Sequence, residues 1–261
     1  MGMHHAQFMN QGSTGGDATL NISGIIAWFD ADESRVTKDG SDRVSRVTDM
    51  SDTGVDQVQN TATNQPLWLD NQINGKPAIQ SQDEEAFGRD WRGMLSESTP
   101  AVYDRDNSVS MVIVFEWDLD MDNTSDVHPM FGNAENATQN EGYGLWLEGT
   151  SNEARGYVGA DGSGVEGLVD ITKDTWYYGK LKWDKDLDSG TATYTVNGTS
   201  DTWTRTIAIP TSTGALGFGS GDGNTPNSFP GKIAEAILID HKIDATEEGK
   251  IDSYINSKYG L

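Results

Sequence analysis

The stretch FEWDLDMD, residues 115–122, carries carboxylates at every second position. Successive side chains on a β-strand point to opposite faces, so Glu116, Asp118 and Asp120 would share one face of a strand. Glycoside hydrolysis uses a pair of carboxyl groups, one as the nucleophile and the other as the acid. The same oxygens are ligands that Ca²⁺ prefers. The segment therefore raises two hypotheses, a sugar-cleaving site and a metal site.

The catalytic hypothesis fails on the third carboxylate. Laminarinase-type glycosidases place Glu, Asp and a second Glu on one strand, and only Glu116 and Asp118 fit this pattern. The third place falls on Asp120, or on Met121 if the strand bulges, and an aspartate falls back from the glycosidic oxygen. The apolar run also ends near Glu116, where a turn-like acidic loop begins. We therefore predict no catalytic residue here, only a strand end followed by a solvated loop.

Acidic residues of this loop are the candidate metal ligands. Their spacing resembles the start of an EF-hand loop, but the glycine at the sixth position and the glutamate at the twelfth are absent. A second acidic loop is expected to be a solvated turn. We predict no required cofactor and at most weak binding of Ca²⁺. The first loop contributes Asp118, Asp120, Asp122 and Asp126, and the second Asp184, Asp186 and Asp188.

The histidines and cysteines support no further chemistry. The chain has no cysteine, which excludes disulfides and thiol catalysis. Beyond the first 20 residues the histidines are His128 and His241, which are too far apart in sequence to suggest a metal-binding pair. No zinc site or catalytic triad is therefore predicted.

Eight tryptophans and eight tyrosines make carbohydrate binding a natural hypothesis, because sugar rings stack on aromatic faces. Trp91, in the loop GRDWRGM, and Trp146, in YGLWLEG, are the candidate contacts. Trp146 alternates with Tyr143, Leu145 and Leu147, which would face the opposite way. The alternative is that both rings pack against loops or a neighbouring subunit. Three others are predicted as core residues: Trp28, Trp176 and Trp183.

The composition excludes several classes of partner. The 261 residues carry a formal net charge of −23, which opposes binding to nucleic acid and to anionic membrane surfaces. Adaptation to high salt is an alternative explanation of this acidity. No apolar run approaches the roughly 18 residues of a membrane helix, and the first residues lack the pattern of a secretory signal.

Short apolar runs separated by turns predict an all-β chain. A hairpin is expected at Asn197-Gly198, where the two residues suit a tight primed turn. One helix is predicted inside residues 244–259, because Asp244 and Glu247 can form a capping box. An apolar stripe at helical spacing supports it: Ile251, Tyr254, Ile255 and Tyr259. We therefore predict an antiparallel two-sheet sandwich with one C-terminal helix.

Residues 1–20 are rich in Gly, Gln and Asn, and we interpret them as an arm that precedes a domain at 21–261. Ordering a backbone costs roughly 1–2 kcal/mol per residue, which such a segment cannot recover from its own contacts. An ordered arm would need another surface. We expect docking on a partner subunit, with Phe8 and Met9 as anchors, and packing on its own sandwich is the alternative.

Several segments together resemble the concanavalin A-like lectin/glucanase superfamily in its laminin-G-like jelly-roll form. They are GIIAWFDADE, INGKPAIQS, DTWYYGKLKWDKDLDSGTATYTVNG and GKIAEAILIDHKIDATEEGKIDSYINSKYGL. The resemblance covers roughly residues 22–261 and implies an antiparallel jelly-roll sandwich. This fold hosts lectins, hydrolases, lyases and structural modules, so the resemblance implies the fold more than the activity.

Sandwiches that end in Tyr-Gly-Leu resemble modules of bacterial surfaces and of phage particles. Because the sequence shows no export signal, the resemblance favours a virion surface protein assembled in the host cytoplasm, with an extracellular or cell-surface location as the alternative. The expected function is a non-catalytic structural or adhesive one, as head decoration, spike or tail-fibre module. Expected partners are other virion proteins or its own copies, and a host-surface glycan. The alternatives are a polysaccharide-active hydrolase or lyase, and a lectin.

Overall fold

The computed structural model describes residues 20–81, 92–104, 108–118, 127–133, 142–148, 151–159, 165–185, 191–204, 214–220 and 228–261. These segments form two antiparallel β-sheets and a C-terminal helix, which confirms the predicted fold class. The predicted arm lies outside the described residues except for Leu20. No helix in the described part of the chain is long and apolar enough to cross a bilayer.

Strands make up most of the regular structure, and the helix follows the last of them. The strands are β1 (Ile25–Asp30), β2 (Val36–Lys38), β3 (Val44–Val47), β4 (Gln57–Val58), β5 (Leu67–Ile73), β6 (Lys76–Gln80), β7 (Met94–Ser96), β8 (Val109–Trp117), β9 (Val127–Gly132), β10 (Gly142–Glu148), β11 (Glu153–Gly159), β12 (Val165–Asp170), β13 (Thr175–Trp183), β14 (Thr191–Val196), β15 (Thr199–Thr204), β16 (Gly217–Phe218) and β17 (Gly231–Ile239). The helix is α1 (Ala245–Tyr259), and short 3₁₀ turns lie at Glu33–Arg35, Ala62–Asn64 and Ala101–Tyr103.

Sheet A has the strand order β15-β14-β13-β8-β17-β6-β5, with β1 also paired to β17. Sheet B has the order β12-β11-β10-β9-β16-β7-β4-β3-β2. Strand β17 is central to sheet A, because β8 pairs along one of its sides while β6 and β1 share the other. The hairpin predicted at Asn197-Gly198 joins β14 to β15, and both residues have positive φ, as a tight primed turn requires.

The main core lies between the two sheets. Strand β8 shows the alternation that produces it: Met111, Ile113 and Phe115 belong to this core, while Val112 and Val114 point to the outer face of sheet A. Both sets are fully buried, as the continuous apolar run predicts for a strand covered on both sides.

Helix α1 covers part of the outer face of sheet A and creates a second core there. The predicted capping box is present, since Asp244 accepts from the backbone of Glu247, whose side chain accepts from the backbone of Asp244. Ile251 and Ile255 are fully buried against the sheet. Each such side chain contributes about 1.5–3 kcal/mol to folding. Leu20, the last residue of the predicted arm, packs in this core too.

A buried polar network fixes the helix to the sheet. The carboxylate of Glu235, on β17, is fully buried and accepts hydrogen bonds from the hydroxyls of Tyr254 and Tyr259, each at 2.7 Å. Trp28 Nε1 donates to it at 2.5 Å, and Lys258 Nζ lies 2.9 Å away. Burial lowers the pKa of Lys258, but Glu235 and Asp30 outweigh it and the pKa is raised, so this lysine keeps its charge. The helix therefore holds a defined position beside the rest of the outer face.

Candidate functional site

The carboxylates of FEWDLDMD lie on the outer face of sheet A, not between the sheets. Glu116 follows Val114 in the alternation of β8, and Asp118 comes directly after the strand. Both carboxylates contact Lys232 on β17, which confirms the prediction that they share one face. Asp120 lies outside the described residues.

Lys232 binds both carboxylates at once. Its Nζ lies 2.9 Å from Glu116 Oε2 and 2.8 Å from Asp118 Oδ2. Burial lowers the pKa of Lys232, but the two carboxylates outweigh it and the pKa is raised, so the amine stays protonated. Burial raises the pKa of Asp118 above its ordinary value, against the pull of Lys232. Two carboxylates therefore share one ammonium, and one negative charge is left over.

The second oxygen of Asp118 is not satisfied. Oδ1 is buried and accepts no hydrogen bond in the part of the chain that the structure describes. The side chain as a whole is 11% exposed. A buried acceptor without a donor costs roughly 1–3 kcal/mol, and more when it is charged. This oxygen is therefore a buried acceptor that lacks a donor.

Four side chains form a row across sheet A, which we name the transverse row: Trp176, Glu116, Lys232 and Gln80. Trp176 on β13 is directly opposite Glu116 on β8. Glu116 is directly opposite Lys232 on β17, and Lys232 is opposite Gln80 on β6. Side chains at directly opposite positions of antiparallel strands have Cβ atoms about 4.5–5.5 Å apart. The row is therefore a continuous strip of one aromatic and three polar side chains.

The edge of helix α1 lies beside this row. Tyr178 follows Trp176 on the same face of β13, is buried, and donates to Asp252 of the helix at 3.0 Å. Lys180, the next residue on this face, binds Asp252 and Glu248, each at 2.7 Å. The helix thus covers the face from Tyr178 onward. Trp176 lies at the border of the covered surface.

Trp176 is half-buried, so the prediction that it is a core residue is only partly correct. One side of the residue packs against the helix-covered core, but its strand position carries it past the region that α1 covers. Of the two other predicted core tryptophans, one is fully inside the core and one is not. Trp183 is buried between the sheets, whereas Trp28 is partly buried beneath the helix.

Trp146 lies on the outer face of sheet B, whereas its strand neighbours Leu145 and Leu147 point into the main core, as predicted. Its ring stacks on Tyr157 with 4.5 Å between centroids and 9° between planes, and the Arg155 guanidinium lies 5.4 Å from the indole. Trp146 is only 2% exposed, so the ring has almost no accessible surface in the structure. The role of Trp146 in glycan contact stays a prediction, and Trp91 lies outside the described residues.

Two of the candidate metal ligands, Asp118 and Asp184, lie among the described residues. Asp118 is held by Lys232, and Asp184 accepts from the Ser108 hydroxyl at 3.3 Å. In the described segments no three His, Cys, Asp or Glu side chains gather as a metal centre would require. Weak Ca²⁺ binding therefore stays a prediction. The remaining candidate ligands lie outside the described residues: Asp120, Asp122, Asp126, Asp186 and Asp188.

Comparisons with known proteins show the fold. The sequence matches no protein-family model and no curated protein sequence. The binding domain of botulinum neurotoxin serotype D is 10% identical, with a TM-score of 0.59, over 90% of this chain and 51% of that one. The binding domain of Paraclostridial mosquitocidal protein 1 is 10% identical, with a TM-score of 0.52, over 90% and 52%. Trypanosoma rangeli sialidase in complex with sialic acid is 12% identical, with a TM-score of 0.51, over 92% and 34%.

These likenesses establish a β-sandwich of the kind that the jelly-roll resemblance implies. This chain spans about half of each toxin binding-domain chain and about a third of the sialidase chain. At such low identity the common fold carries no assignment of activity.

Proposed function

We propose that this protein is a non-catalytic carbohydrate-binding β-sandwich that acts as an adhesive module on a particle surface. The observation that carries the proposal is the transverse row, in which the half-buried Trp176 stands next to Glu116, and Glu116 next to Lys232. The fold is compatible with glycan binding, since its structural neighbours include toxin binding domains and a sialidase solved with sialic acid.

The chemistry of the row suits a sugar. A hexopyranose presents a C–H face that packs on an indole, and its hydroxyls need donors and acceptors arranged around that contact. Beyond Trp176 the row supplies carboxylate oxygens, an ammonium and the amide of Gln80. The Lys232 contacts hold the central part of the row in place before a ligand arrives, which reduces the entropy lost on binding.

The same contacts support a binding role over a hydrolytic one. A retaining glycosidase needs one ionised carboxylate free to attack and one protonated acid, about 5–5.5 Å apart. Glu116 and Asp118 both contact the same ammonium, which lowers the nucleophilicity of both carboxylates. We therefore propose that this site does not hydrolyse glycans, because of Lys232 as well as the missing second glutamate.

The location we propose is a virion surface, as head decoration, spike or tail-fibre module, with other virion proteins or further copies of the chain as neighbours. The support is the resemblance to phage-particle modules. An extracellular or cell-surface adhesin is the alternative. Immunogold labelling of purified particles tests the location, and a chain lacking residues 1–16 tests whether Phe8 and Met9 are needed for incorporation.

A glycan array with matched variants tests the binding function. Wild type should bind a defined set of glycans, and Trp176→Ala should lose that binding by tenfold or more. Gln80→Ala, at the other end of the row, should weaken it less. The matched control is Leu168→Ala, which removes a 38% exposed apolar side chain from sheet B and should leave binding unchanged. Thermal melting of each variant shows that the fold is retained.

Two results would overturn the proposal. One is equal binding by wild type and Trp176→Ala on every glycan of the array. The other is release of reducing ends from a polysaccharide panel that is lost in a folded Glu116→Gln variant, which would favour the enzyme alternative.

A further inference from the structure

The transverse row and Asp118 together lack donors. The carboxylates of Glu116 and Asp118 offer four oxygens, and Lys232 contacts one oxygen of each. Asp118 Oδ1 is buried and has no hydrogen-bond donor among the described residues. A ligand that donates hydrogen bonds here removes the cost of this unsatisfied oxygen, whereas a ligand that only accepts leaves it in place.

The charge of the site also favours a ligand that donates hydrogen bonds. Two carboxylates and one ammonium leave a local charge of about −1, and the whole chain carries −23. A field of this sign lowers the local concentration of anions and raises that of cations. Glycans that carry carboxylate or sulfate groups are therefore disfavoured at long range and at contact.

We propose that the ligand of this site is a glycan with a protonated amino group, that is, a hexosamine whose nitrogen is not acetylated. This inference rests on the carbohydrate-binding function proposed above and specifies its ligand class. The sugar ring stacks on Trp176, and the ammonium displaces the atoms that cover Asp118 Oδ1 and donates to this oxygen. An ammonium supplies charge-assisted donors, which form hydrogen bonds about twice as strong as those of neutral hydroxyls.

The spacing of the two contacts fits a short oligosaccharide. Trp176 is directly opposite Glu116, and Asp118 comes two residues later, roughly 7 Å farther along the chain at the rise of a strand. Both contacts lie on the same face of the sheet, since Asp118 and Glu116 share Lys232. One ligand is therefore long enough to place a ring on the indole and an amino group at the carboxylate, once the atoms that cover Asp118 Oδ1 move aside.

Isothermal calorimetry with two oligosaccharides of equal length tests the proposal. One is a glucosamine oligomer and the other its fully N-acetylated counterpart, both at physiological salt and at a pH where the amine is protonated. Wild type should bind the glucosamine oligomer at least about tenfold more tightly, a difference of about 1.4 kcal/mol. Raising the pH until the amine is neutral should remove the preference.

Two asparagine variants separate a site effect from bulk attraction. Asp118→Asn should reduce the preference to about one, because the side chain no longer carries a negative charge. Asp70→Asn removes the same charge from an exposed position on β5, four strands from β13, and should keep the tenfold preference. An equal loss in both variants would show that net charge alone attracts the oligomer and would overturn the inference.

The remaining outcomes separate a failure of the amino-sugar inference from a failure of the proposed carbohydrate-binding function. If the acetylated oligomer binds as tightly as the free amine and Trp176→Ala abolishes both, the amino-sugar inference fails while the carbohydrate-binding function stands. If neither these oligomers nor any glycan of the array depends on Trp176, the proposed function itself fails. Tighter binding of a sialylated or uronate-containing glycan would overturn the inference directly.

Discussion

The indole ring of Trp203 on sheet A fills the space in front of Gly167 on sheet B, so that a Cβ on this glycine would lie 2.3 Å from Cζ3. Tyr194 stands in the same relation to Gly156, whose Cβ would lie 2.7 Å from the tyrosine side chain. Glycines on one sheet thus leave room for large rings from the other. The two sheets approach closely where β12 faces β15.

Gly167→Ala should destabilise the protein by roughly 1–3 kcal/mol, because the added methyl group forces the Trp203 ring out of its packed position. Urea denaturation followed by tryptophan fluorescence measures the change. Gly40→Ala is the matched control, since a Cβ there meets nothing within 4 Å, and it should stay within about 0.5 kcal/mol of wild type. A Gly167→Ala variant as stable as this control would contradict the close packing of the two sheets.

Gly249→Ala should stabilise the protein by about 0.5–1 kcal/mol. The residue lies inside helix α1, is exposed, and leaves open space for a Cβ, so the substitution restricts the unfolded chain without a clash. Gly54→Ala is the contrasting variant, because the space is also open but φ is +64°. It should destabilise. Chemical denaturation measures the free energy of unfolding of both variants. A change of the same sign in the two would contradict this prediction.

Lys258→Met should destabilise the protein by about 3–5 kcal/mol, because it leaves the buried carboxylate of Glu235 without its cation. Combining it with Glu235→Gln removes that charge as well, so the double variant should be more stable than the sum of the two single changes predicts. Denaturant midpoints of the four proteins test this double-mutant cycle. Strictly additive effects would show that the two groups are not coupled.

His241 should make stability depend on pH. Its Nδ1 lies 2.9 Å from Asp240 and its Nε2 3.1 Å from Glu247, an arrangement that favours the doubly protonated ring. Burial lowers the pKa of His241, but the two carboxylates outweigh it and the pKa is raised. The stabilisation is therefore complete below the ordinary pKa of about 6.5 and is lost as pH rises through the folded value.

His241→Gln tests this linkage. The melting temperature of wild type should exceed that of the variant more at pH 6 than at pH 8.5, because only the wild-type ring gains a charge on acidification. The difference at pH 6 should shrink when salt is raised, since the histidine is partly exposed. A difference that does not change with pH would show that His241 does not change its protonation on folding.

Local signals were sufficient for much of this architecture. The start of α1 follows from a capping box that spans four residues, and the burial of β8 on both faces follows from its unbroken apolar run. The common face of Glu116 and Asp118 follows from the two-residue period of a strand. Each of these features depends on residues that are close together in the sequence.

The site was not predictable in the same way. Lys232 is 116 residues from Glu116 in the sequence, and the two meet only because β17 pairs with β8 in one register. Nothing in the local sequence specifies that register. The position of Trp176 did have a local signal, since it alternates in phase with Lys180 and Lys182, the polar face of β13. Because tryptophan is aromatic, the residue type indicated a core position, although the two-residue alternation of the strand placed it on the polar face.

The place of β17 in sheet A has a consequence for how the chain acquires its structure during synthesis. Its partners β1, β6 and β8 all leave the ribosome earlier, and sheet A is divided into separate parts until this strand is inserted between them. Until then the nascent chain presents unpaired strand edges, which are prone to associate with other chains. Completion of sheet A therefore waits until β17 has left the ribosome, and the growing polypeptide exposes these edges until then.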